Sequence, residues 1–486
     1  MTMFVKPFHA SLHDKQEKGN LVTGLLWGDQ VEILKEDGDF AWCRARGKEG
    51  WMKKSDLCDT RLLEIYITDV GQGDSALIRT PDNKWHLIDA GNSNSRQMTG
   101  KGAANFLRWK FQDDLGINTV TLENVILSHP DFDHYGGLLN IFAGDLADGR
   151  KFPVTVENFY HNGIGKYRSD PKLGTTIKDK TLPFPQGNHG ILPSGTFITE
   201  LLDGADSFRT PQREFEEEFA GYAQLVGSVP RTVRRLSRSD NYLPGYRAGE
   251  NVVTIKVLAP MIETTSSGTI GLRDYGSDSL TINGNSIVVR FDYGKARILM
   301  TGDLNTKAEK LLMSYIDGSE FASDILKACH HGSDDVDYGF LQAVQARATV
   351  ISSGDNESYS HPRPRVMGAL GKFGRDSISD EGELQPPLLY STELARSVTL
   401  GHVNGVRIRG IGEAGDEFSA VNVNDTNVTA KSWNGKYRDL AKTFISTDLV
   451  YGLVNIRTDG VHILCATMIE TGRDFDYRVF KAGVDQ

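Results

Sequence analysis

The run HPDFDHYGG, residues 129–137, places four potential metal-binding side chains within six positions. Its two histidines and two aspartates offer imidazole nitrogens and carboxylate oxygens, a mixed donor set that suits first-row divalent ions. The apolar residues 125–127 predict a strand before the run, and residues 138–142 predict the start of a helix after it. Because α/β proteins carry their chemistry on loops that rigid elements aim, the run predicts a metal site on a strand-to-helix loop.

Other histidines and aspartates follow apolar runs elsewhere in the chain. Asp89, Asp303, His330 and His331 each come at or just beyond the end of a predicted strand. Taken alone, Asp89 fits a turn and Asp303 fits a helix cap, but their recurrence at strand ends favours one shared site. Together with the four residues of the run they are enough for two ions, which at about 3.5–4 Å apart can share a bridging hydroxide. Cysteine is absent from these positions, which excludes a thiolate-type structural zinc site.

The elements that must position these residues suggest three regions. Residues 1–60 contain short β-type runs separated by Gly- and Asp-rich turns, which predict a small all-β domain. Residues 61–384 alternate strand and helix patterns, which predicts an α/β domain. Within it, residues 165–250 are rich in Gly, Pro and charge, and we interpret them as an insertion outside the core. Residues 385–486 are β-rich and either complete the sheet or form an appendix.

The composition limits the function classes. A chain of 486 residues predicts two or three domains, and a net charge of −10 argues against binding nucleic acid over the whole surface. One basic cluster is predicted to be a solvated face, with phosphate binding as the alternative; it comprises Arg231, Arg234, Arg235 and Arg238. No apolar stretch reaches the length of about 18 residues that a membrane helix needs. The absence of a secretory signal in residues 1–15 and the scattered cysteines predict a cytoplasmic protein without a membrane partner.

Several separated motifs then carry a family resemblance. SHPDFDHYGG, preceded by LIDAG and followed by LMTGD and HHGS, resembles the metallo-β-lactamase superfamily. TDVGQGDSALIRTPDNKWHLIDAG, NSIVVRFDYGKARILMTGDL, KACHHGS and SHPRPRVMGAL resemble the hydrolase domain of the ComEC-like DNA-uptake family. The resemblance covers residues 62–375 except the insertion. It implies a four-layer αβ/βα sandwich with the metals at one edge of its two sheets.

The N-terminal region carries a second resemblance. GDQVEILKEDGDFAWCRARGKEGWMKKSDL is similar to bacterial SH3-like domains. Such a barrel, placed before the sandwich, implies a protein partner or docking onto the neighbouring domain.

The superfamily resemblance also implies roles for the strand-end residues. His129 and Asp131 would hold one ion, Asp133 and His134 the other with one of the paired histidines, and Asp303 would bridge the two. We favour His330 over His331 as the ligand because it follows the predicted strand directly. His161 is a further candidate ligand, with a surface histidine as the alternative. Asp131 stands where the superfamily commonly has histidine, which makes Mn²⁺ or Mg²⁺ plausible beside Zn²⁺.

Residues around the ligands complete the predicted site. Asp89 matches an aspartate that orients the motif loop, and a ligating imidazole needs such an acceptor on its other nitrogen. Asp74 and His331 are placed with it, behind the ligands or facing the substrate. We expect Asp133 and His361 to be catalytic, with His361 contacting a substrate oxygen or donating a proton. The alternative for His361 is a turn residue before a proline.

These features predict a metal-dependent hydrolase that uses a metal-bound hydroxide. Phosphodiesters are the favoured substrates, which makes the protein a nuclease or a nucleotide phosphodiesterase. The same metals would also serve a hydrolase of carboxylic esters, thioesters or lactones, and the fold could persist in a non-catalytic binding protein. ComEC-like channels carry transmembrane helices, and none is predicted in this chain.

Overall fold

The computed structural model describes residues 2–96, 101–179, 195–354, 361–379, 382–392, 450–469 and 473–484, together with four strands between residues 406 and 440. The chain divides into two compact units. The first comprises residues 1–395 and 450–486, and the second comprises residues 396–449. Residues 398–400, whose sequence Val-Thr-Leu predicts a strand in the β-rich C-terminal region, lie outside the described residues.

The N-terminal region forms a small antiparallel sheet. Its strands are β1 (Thr2–Val5), β2 (His9–His13), β3 (Leu21–Leu26), β4 (Gln30–Asp37), β5 (Phe40–Ala45), β6 (Lys48–Lys53) and β7 (Leu57–Cys58). They lie in the order β3-β2-β6-β5-β4-β1-β7. Alternate side chains such as Leu12, Val31 and Met52 are buried together, because successive residues of a strand point to opposite faces. The predicted all-β domain is therefore present.

A larger domain follows, beginning with strands and helices of its first half. These elements are β8 (Leu63–Ile67), β9 (Ala76–Arg79), β10 (Trp85–Ile88), α1 (Ala103–Arg108), β11 (Val120–Ile126), α2 (Phe132–Ala143), β12 (Val154–His161), β13 (Thr176–Lys178), β14 (Thr196–Ile198), α3 (Ala205–Arg209), α4 (Glu217–Val226) and β15 (Thr232–Arg235).

The second half continues the alternation of strands and helices. Its elements are β16 (Thr254–Ala259), β17 (Ile262–Thr264), β18 (Ile270–Arg273), α5 (Asp278–Gly284), β19 (Val288–Tyr293), β20 (Ala296–Met300), α6 (Thr306–Tyr315), β21 (Ile325–Lys327), α7 (Tyr338–Val344), β22 (Ala348–Ile351), α8 (Pro364–Phe373), β23 (Ser377–Ile378), β24 (Leu384–Gln385) and β25 (Leu388–Ser391).

The second unit is a separate antiparallel sheet. Its strands, in spatial order, are β26 (Val406–Ile408), β27 (Asp416–Val423), β28 (Val428–Ser432) and β29 (Tyr437–Leu440). After it the chain returns to the larger domain with β30 (Val450–Thr458), β31 (His462–Ile469) and β32 (Phe475–Lys481). No described helix is both long and apolar enough to cross a membrane.

Two large sheets pack face to face to make the larger domain. One has nine strands in the order β15-β12-β11-β10-β9-β8-β30-β31-β32, and the other has six in the order β16-β19-β20-β21-β22-β25. Apolar side chains from both sheets share one buried cluster, in which Ile65 and Ile126 meet Val289 and Ile298. A second cluster joins the nine-stranded sheet to α1, α2 and α4, and a third joins the six-stranded sheet to α6, α7 and α8. The result is the predicted four-layer αβ/βα sandwich.

Part of the region interpreted as an insertion belongs to this core. Strand β15 pairs in parallel with β12 at the edge of the nine-stranded sheet. Phe219, Tyr222 and Val226 of α4 are buried in the cluster that also contains residues of α2. The high charge of residues 165–250 concealed the apolar spacing of this one short helix, which is the pattern that marks a core-facing side.

Strands β30–β32 complete the nine-stranded sheet, one of the two alternatives for the C-terminal region. Strand β30 also carries Arg457, whose guanidinium group contacts the N-terminal sheet. Arg457 of β30 donates to the Asp29 carboxylate at 2.7 Å and to the Trp27 carbonyl at 2.7 Å. Arg46 donates to the same carboxylate at 2.7 Å, and all three charged side chains are buried. This buried cluster of Asp29, Arg46 and Arg457 fixes the two domains to each other.

Candidate metal centre

The predicted site residues follow parallel strands in both sheets. In the nine-stranded sheet, β10 and β11 run parallel with Ile88 opposite Ile126, so Asp89 and the motif loop leave the sheet at the same edge. In the six-stranded sheet, β20 and β21 are also parallel, and Asp303 and the paired histidines follow them. Since carboxyl ends of parallel strands meet at one edge of a sheet, the packing of the two sheets brings both groups to one place.

The motif loop is held by close backbone contacts. Helix α2 begins at Phe132, earlier than the predicted start at residue 138, so Asp133 and His134 lie in its first turn. Gly73, at φ +110°, lies so near the loop that a Cβ atom would meet the Asp133 carbonyl oxygen at 1.9 Å. A Cβ at Gly137 would meet the Ala90 carbonyl oxygen at 2.1 Å. Glycine is therefore required where these loops cross.

Asp89 lies behind the loop and orients it. One of its carboxylate oxygens accepts the Ser128 backbone N–H at 2.7 Å, and the other accepts the Ser128 hydroxyl at 2.7 Å. That second oxygen also accepts from Nδ1 of His134 at 2.9 Å. Because this contact keeps the proton on Nδ1, it leaves Nε2 of His134 as a donor atom for a metal.

The centre of the site is a meeting of two imidazoles and one carboxylate. Nε2 of His134 lies 3.3 Å from Nε2 of His331, and Oδ2 of Asp303 lies 3.4 Å from the first and 3.1 Å from the second. Nδ1 of His331 faces the Ser352 carbonyl oxygen at 3.0 Å, so it too must carry a proton. In their neutral forms the two Nε2 atoms therefore turn lone pairs towards each other and towards a carboxylate. A cation fits this arrangement, because it is attracted by all three donors.

The pKa values reflect the same excess of negative charge. Burial alone would lower the pKa of both imidazoles, but the carboxylates outweigh it. Asp303 and Asp89 hold the pKa of His134 well above its ordinary value. Asp303 and Asp74 raise the pKa of His331 to about 10. The site thus draws cations to its imidazoles, and a metal ion that binds there would displace these protons.

A second set of donors adjoins the first. His129, His134 and Asp303 offer ligand atoms within 4.8 Å of one another, as do Asp133, His134 and His331. His129 is fully buried, and its Nε2 has no hydrogen-bond partner in the described part of the chain. Burial and the charge of His134 lower its pKa to about 3, so the ring is neutral and able to coordinate. These overlapping groups have the donor types and the spacing that divalent ions require.

Asp131 lies beside this cluster, but its carboxylate pairs with a lysine. It stands at the N-cap of α2 without making a side-chain cap bond. Its Oδ2 is 3.7 Å from Nε2 of His129, whereas its Oδ1 accepts from Lys166 at 2.7 Å. Asp131 belongs to none of the ligand groups among the described residues, and Lys166 already balances its charge. No sequence pattern pointed to Lys166, which lies in the Gly-containing segment after β12.

The structure brings His331, and not the favoured His330, into the described ligand groups. Both residues have left-handed backbones, with φ values of 46° and 53°, so the chain turns sharply after β21. This turn directs His331 into the cluster and leaves His330 partly exposed, its Nε2 at 3.8 Å from Asp303. Left-handed residues other than glycine cost about 1–2 kcal/mol each, and such strain is typical of functional sites.

His161 is not brought to the ligand groups. Its Nε2 donates to the Asp203 carbonyl oxygen at 2.9 Å, and its Nδ1 accepts the Gly163 backbone N–H at 3.1 Å. Burial lowers its pKa to about 4, and its ring packs against Phe208. Both ring nitrogens are occupied, so His161 is a neutral structural residue.

Asp74 and a buried lysine lie beneath the cluster. The Lys327 ammonium makes an ion pair with Asp74, donates to the Gly302 carbonyl at 3.1 Å and lies 3.7 Å from Asp303. Burial would raise the pKa of Asp74, but Lys327 and His331 together lower it to about 2. Lys327 was missed in the sequence, although a lysine inside the apolar strand ILK is a signal that could have revealed it.

A cavity of about 500 Å³ opens over these residues. Asp131, Asp133, Asp303, His330 and His331 line one part of it, and His361 and Arg363 line another. Asp133 accepts from the side chain of Gln72 at 3.2 Å. The ring centre of His361 is 5.7 Å from that of His330, close enough to reach the same substrate.

The protonation state of His361 restricts its role. Burial and the charges of His331 and His330 lower its pKa to about 4. At neutral pH the ring is therefore uncharged, which favours hydrogen bonding to a substrate oxygen over donation of a proton from an imidazolium.

The arginine cluster is engaged locally. Arg231 pairs with Glu157 at 3.0 Å, Arg234 with Asp240 at 2.5 Å and Arg238 with the side chain of Asn241 at 2.9 Å. Arg235 lies 3.7 Å from an exposed aspartate. Arg231 and Arg234 are exposed, as expected of the solvated face that the sequence favoured, whereas Arg235 and Arg238 are half-buried.

Asp89→Asn tests the support of the motif loop. We expect this change to weaken metal binding by about 10–100-fold, the usual effect of removing an outer hydrogen-bond partner of a ligating histidine. Both oxygens of Asp89 accept hydrogen bonds, from the Ser128 N–H and from Nδ1 of His134. The NH₂ group of an asparagine would face one of these donors and could not accept from it. Isothermal titration calorimetry with Zn²⁺ measures the effect, and Asp148→Asn, an exposed turn substitution, serves as control. Equal affinities of the two variants would contradict this role.

Replacing each paired histidine separately tests which one is the ligand. We expect His331→Ala to weaken metal binding by more than about 100-fold, because a ligand contributes more than its outer partners. His330→Ala should weaken it by less than about tenfold, since this ring belongs to none of the described ligand groups. Metal titrations of the two purified variants give the comparison. The reverse order would restore His330 as the ligand.

Comparison with known proteins agrees with the fold. Residues 68–199 match the family model of the metallo-beta-lactamase superfamily. Competence protein ComA of Neisseria gonorrhoeae is 38% identical over 104 residues, which are 21% of this chain and 15% of that protein. ComE operon protein 3 of Bacillus subtilis (strain 168) is 32% identical over 94 residues, 19% of this chain and 12% of that protein. The chain therefore spans only a small part of the length of these relatives.

A solved structure named Tm1679, described as a metal-dependent hydrolase of the beta-lactamase superfamily, aligns with 70% of this chain and 100% of its own. Its identity is 12% and the TM-score is 0.32, a likeness too low to support a conclusion. The family match covers Asp74, Asp89 and the motif loop, and the surrounding layers have the order described above. The larger domain of this chain therefore has the metallo-beta-lactamase fold, and its residues 68–199 are similar to the metallo-beta-lactamase superfamily.

Proposed function

We propose that the protein is a metal-dependent phosphodiester hydrolase, a nuclease or a nucleotide phosphodiesterase. The observation that carries this proposal is the meeting of His134, His331 and Asp303 at 3.1–3.4 Å under an open cavity. Two bound divalent ions would supply a hydroxide nucleophile at neutral pH and neutralise charge on the phosphoryl oxygens. The ligand groups of His129, His134 and Asp303 and of Asp133, His134 and His331 would hold them.

The surroundings of the cavity favour phosphodiesters over neutral esters. The Arg363 side chain lines the cavity, and the Lys166 ammonium lies beside it on Asp131. Polar and charged residues dominate the described lining, whereas a site for a neutral carboxylic ester would be expected to be largely apolar. The sequence resemblance to ComEC-like DNA-uptake proteins, and a relative named as a competence protein, also favour a nucleic-acid substrate.

The residues of the chain would divide the work of the reaction. Asp89 and Ser352 hold the protons of His134 and His331 on the nitrogens that face away from the cavity. Asp133, which lines the cavity, would help to hold a metal ion beside the reacting phosphoryl group. Neutral His361 would donate a hydrogen bond to a substrate oxygen. The lysine beneath the cluster balances part of its carboxylate charge.

A substrate panel tests the proposal. The protein is incubated with Mn²⁺ or Zn²⁺ and with bis(4-nitrophenyl) phosphate, single-stranded DNA, duplex DNA, RNA and cyclic dinucleotides, with Asp133→Ala as the inactive control. We expect turnover of at least one phosphodiester by the wild type and its loss in the variant. Retained metal without turnover of any phosphodiester would refute the proposal, and activity on esters, thioesters or lactones instead would establish the alternative.

A further inference from the structure

Arg363 is a cation in the cavity, and none of the described residues supplies a counterion for it. It lines the same cavity as Asp133 and Asp303. Over the described ranges, no hydrogen bond or ion pair involves its guanidinium group. A half-buried arginine that lines an open cavity is available to pair with an anionic ligand.

The backbone of Arg363 is fixed to the metal centre. Its N–H donates to the Gly332 carbonyl oxygen at 2.9 Å, one residue beyond His331. Gly332 packs so tightly that a Cβ atom there would lie 2.7 Å from Cβ of Pro362. The position of Arg363 is therefore coupled to the turn that presents His331, as a residue that positions a substrate must be.

Two carboxylates that line the cavity beside the paired histidines interact with other groups. Asp335 accepts the Thr306 backbone N–H at 3.3 Å. Asp334 is exposed. The nearby Arg365 donates from Nε to the Tyr338 hydroxyl at 2.8 Å, and this hydrogen bond together with the charge of Asp334 raises the pKa of Arg365. Arg365 is thus engaged outside the cavity, whereas Arg363, two residues earlier, remains available inside it.

We infer that Arg363 binds a second phosphate of the substrate, a terminal phosphate next to the phosphodiester that is cleaved. This inference rests on the proposed function. The reacting phosphoryl group belongs among the histidines and carboxylates of the ligand groups, and Arg363 belongs to none of them. A guanidinium pairs with phosphate through two parallel hydrogen bonds, which gives both affinity and orientation. A cavity of about 500 Å³ has room for more than one phosphoryl group.

Binding of a thymidine dinucleotide with and without a 5′-phosphate tests the inference. Wild-type protein with Mn²⁺ is titrated with each ligand by calorimetry, and a methylenephosphonate linkage between the two nucleosides prevents cleavage. We expect the 5′-phosphate to strengthen binding by about tenfold or more. Arg363→Gln in the same background should bring the ratio of the two dissociation constants close to one. Arg363→Lys should keep part of the ratio, because it keeps the charge but not the planar pair of donors.

Arg365→Gln is the matched control, and it should leave the ratio as it was. Equal binding of the two dinucleotides to the wild-type protein, or no binding of either, would overturn the inference. So would a ratio that survives Arg363→Gln. If the ratio depends on Arg363 but the wild type cleaves no phosphodiester, then the proposed reaction fails while the phosphate contact stands.

Discussion

Asp303→Asn is expected to lower turnover by about a thousandfold or more. The Asp303 carboxylate lies within 3.4 Å of both facing imidazole nitrogens, and it also belongs to the ligand group that contains His129. An asparagine keeps the size of the side chain but removes the negative charge that two divalent ions would share, which costs several kcal/mol of transition-state stabilisation. Initial rates on the best phosphodiester of the panel measure the loss.

Asp335→Asn provides the control for this substitution. Asp335 lines the same cavity but caps the backbone at Thr306 and is in none of the described ligand groups. We expect a change in rate smaller than about tenfold, because only a cap hydrogen bond is altered. Comparable losses in the two variants would mean that the charge of the cavity as a whole, and not the bridging position, decides activity.

Arg457→Met is expected to lower the free energy of unfolding by about 3 kcal/mol. Arg457 and Asp29 are buried between the N-terminal sheet and strand β30, and the 2.7 Å contact joins them. Removing one partner of a buried ion pair leaves the other charge without full compensation, which costs about 3–5 kcal/mol. The contact of Arg46 with the same carboxylate places the expected loss at the lower end. Urea unfolding followed by fluorescence of Trp27, which lies in this interface, reports the change.

Arg478→Met is the matched control in β32, where the arginine pairs with Asp476 at the surface. Its effect should stay below about 1 kcal/mol, as for exposed pairs in general. Equal losses of stability in the two variants would show that the interface depends on apolar contacts alone.

The buried ion pair between Arg457 and Asp29 also predicts a pH dependence of stability. Arg457 and Arg46 outweigh the effect of burial and hold the pKa of Asp29 below its ordinary value of 3.8. Its contribution is therefore present above that value and is lost as the pH falls through the folded-state pKa.

Much of the sandwich could be predicted because its strands and helices have regular apolar spacing. The strand and helix patterns predicted within residues 61–384 correspond to elements such as α6 (Thr306–Tyr315) and the hairpin of β19 and β20. The core role of α4 was missed, because acidic residues in its first turn and a Gly- and Pro-rich context obscured its apolar face. The pairing of β30 with β8 joins strands nearly 400 residues apart in the chain, and no local pattern can specify such a contact.

The candidate centre was predictable as a set of strand-end residues but not as a geometry. The positions of His129, Asp133 and Asp303 after predicted strands were enough to predict one shared site, because parallel strands end at a common edge of the sheet. The choice of His331 over His330 depends on two left-handed backbone conformations, which residue types do not reveal. The roles of Lys166 and Lys327 depend on contacts across 35 residues or more, to Asp131 and Asp74.

The central claim is that the site binds divalent metal ions through both ligand groups. Mass spectrometry of the metal content of protein purified without chelator tests it most directly, with Asp303→Asn measured in parallel. The structure predicts two equivalents of Zn²⁺ or Mn²⁺ in the wild type and a loss of metal from the variant. A wild-type protein that retains no divalent metal after dialysis against Zn²⁺ and Mn²⁺ would contradict the account.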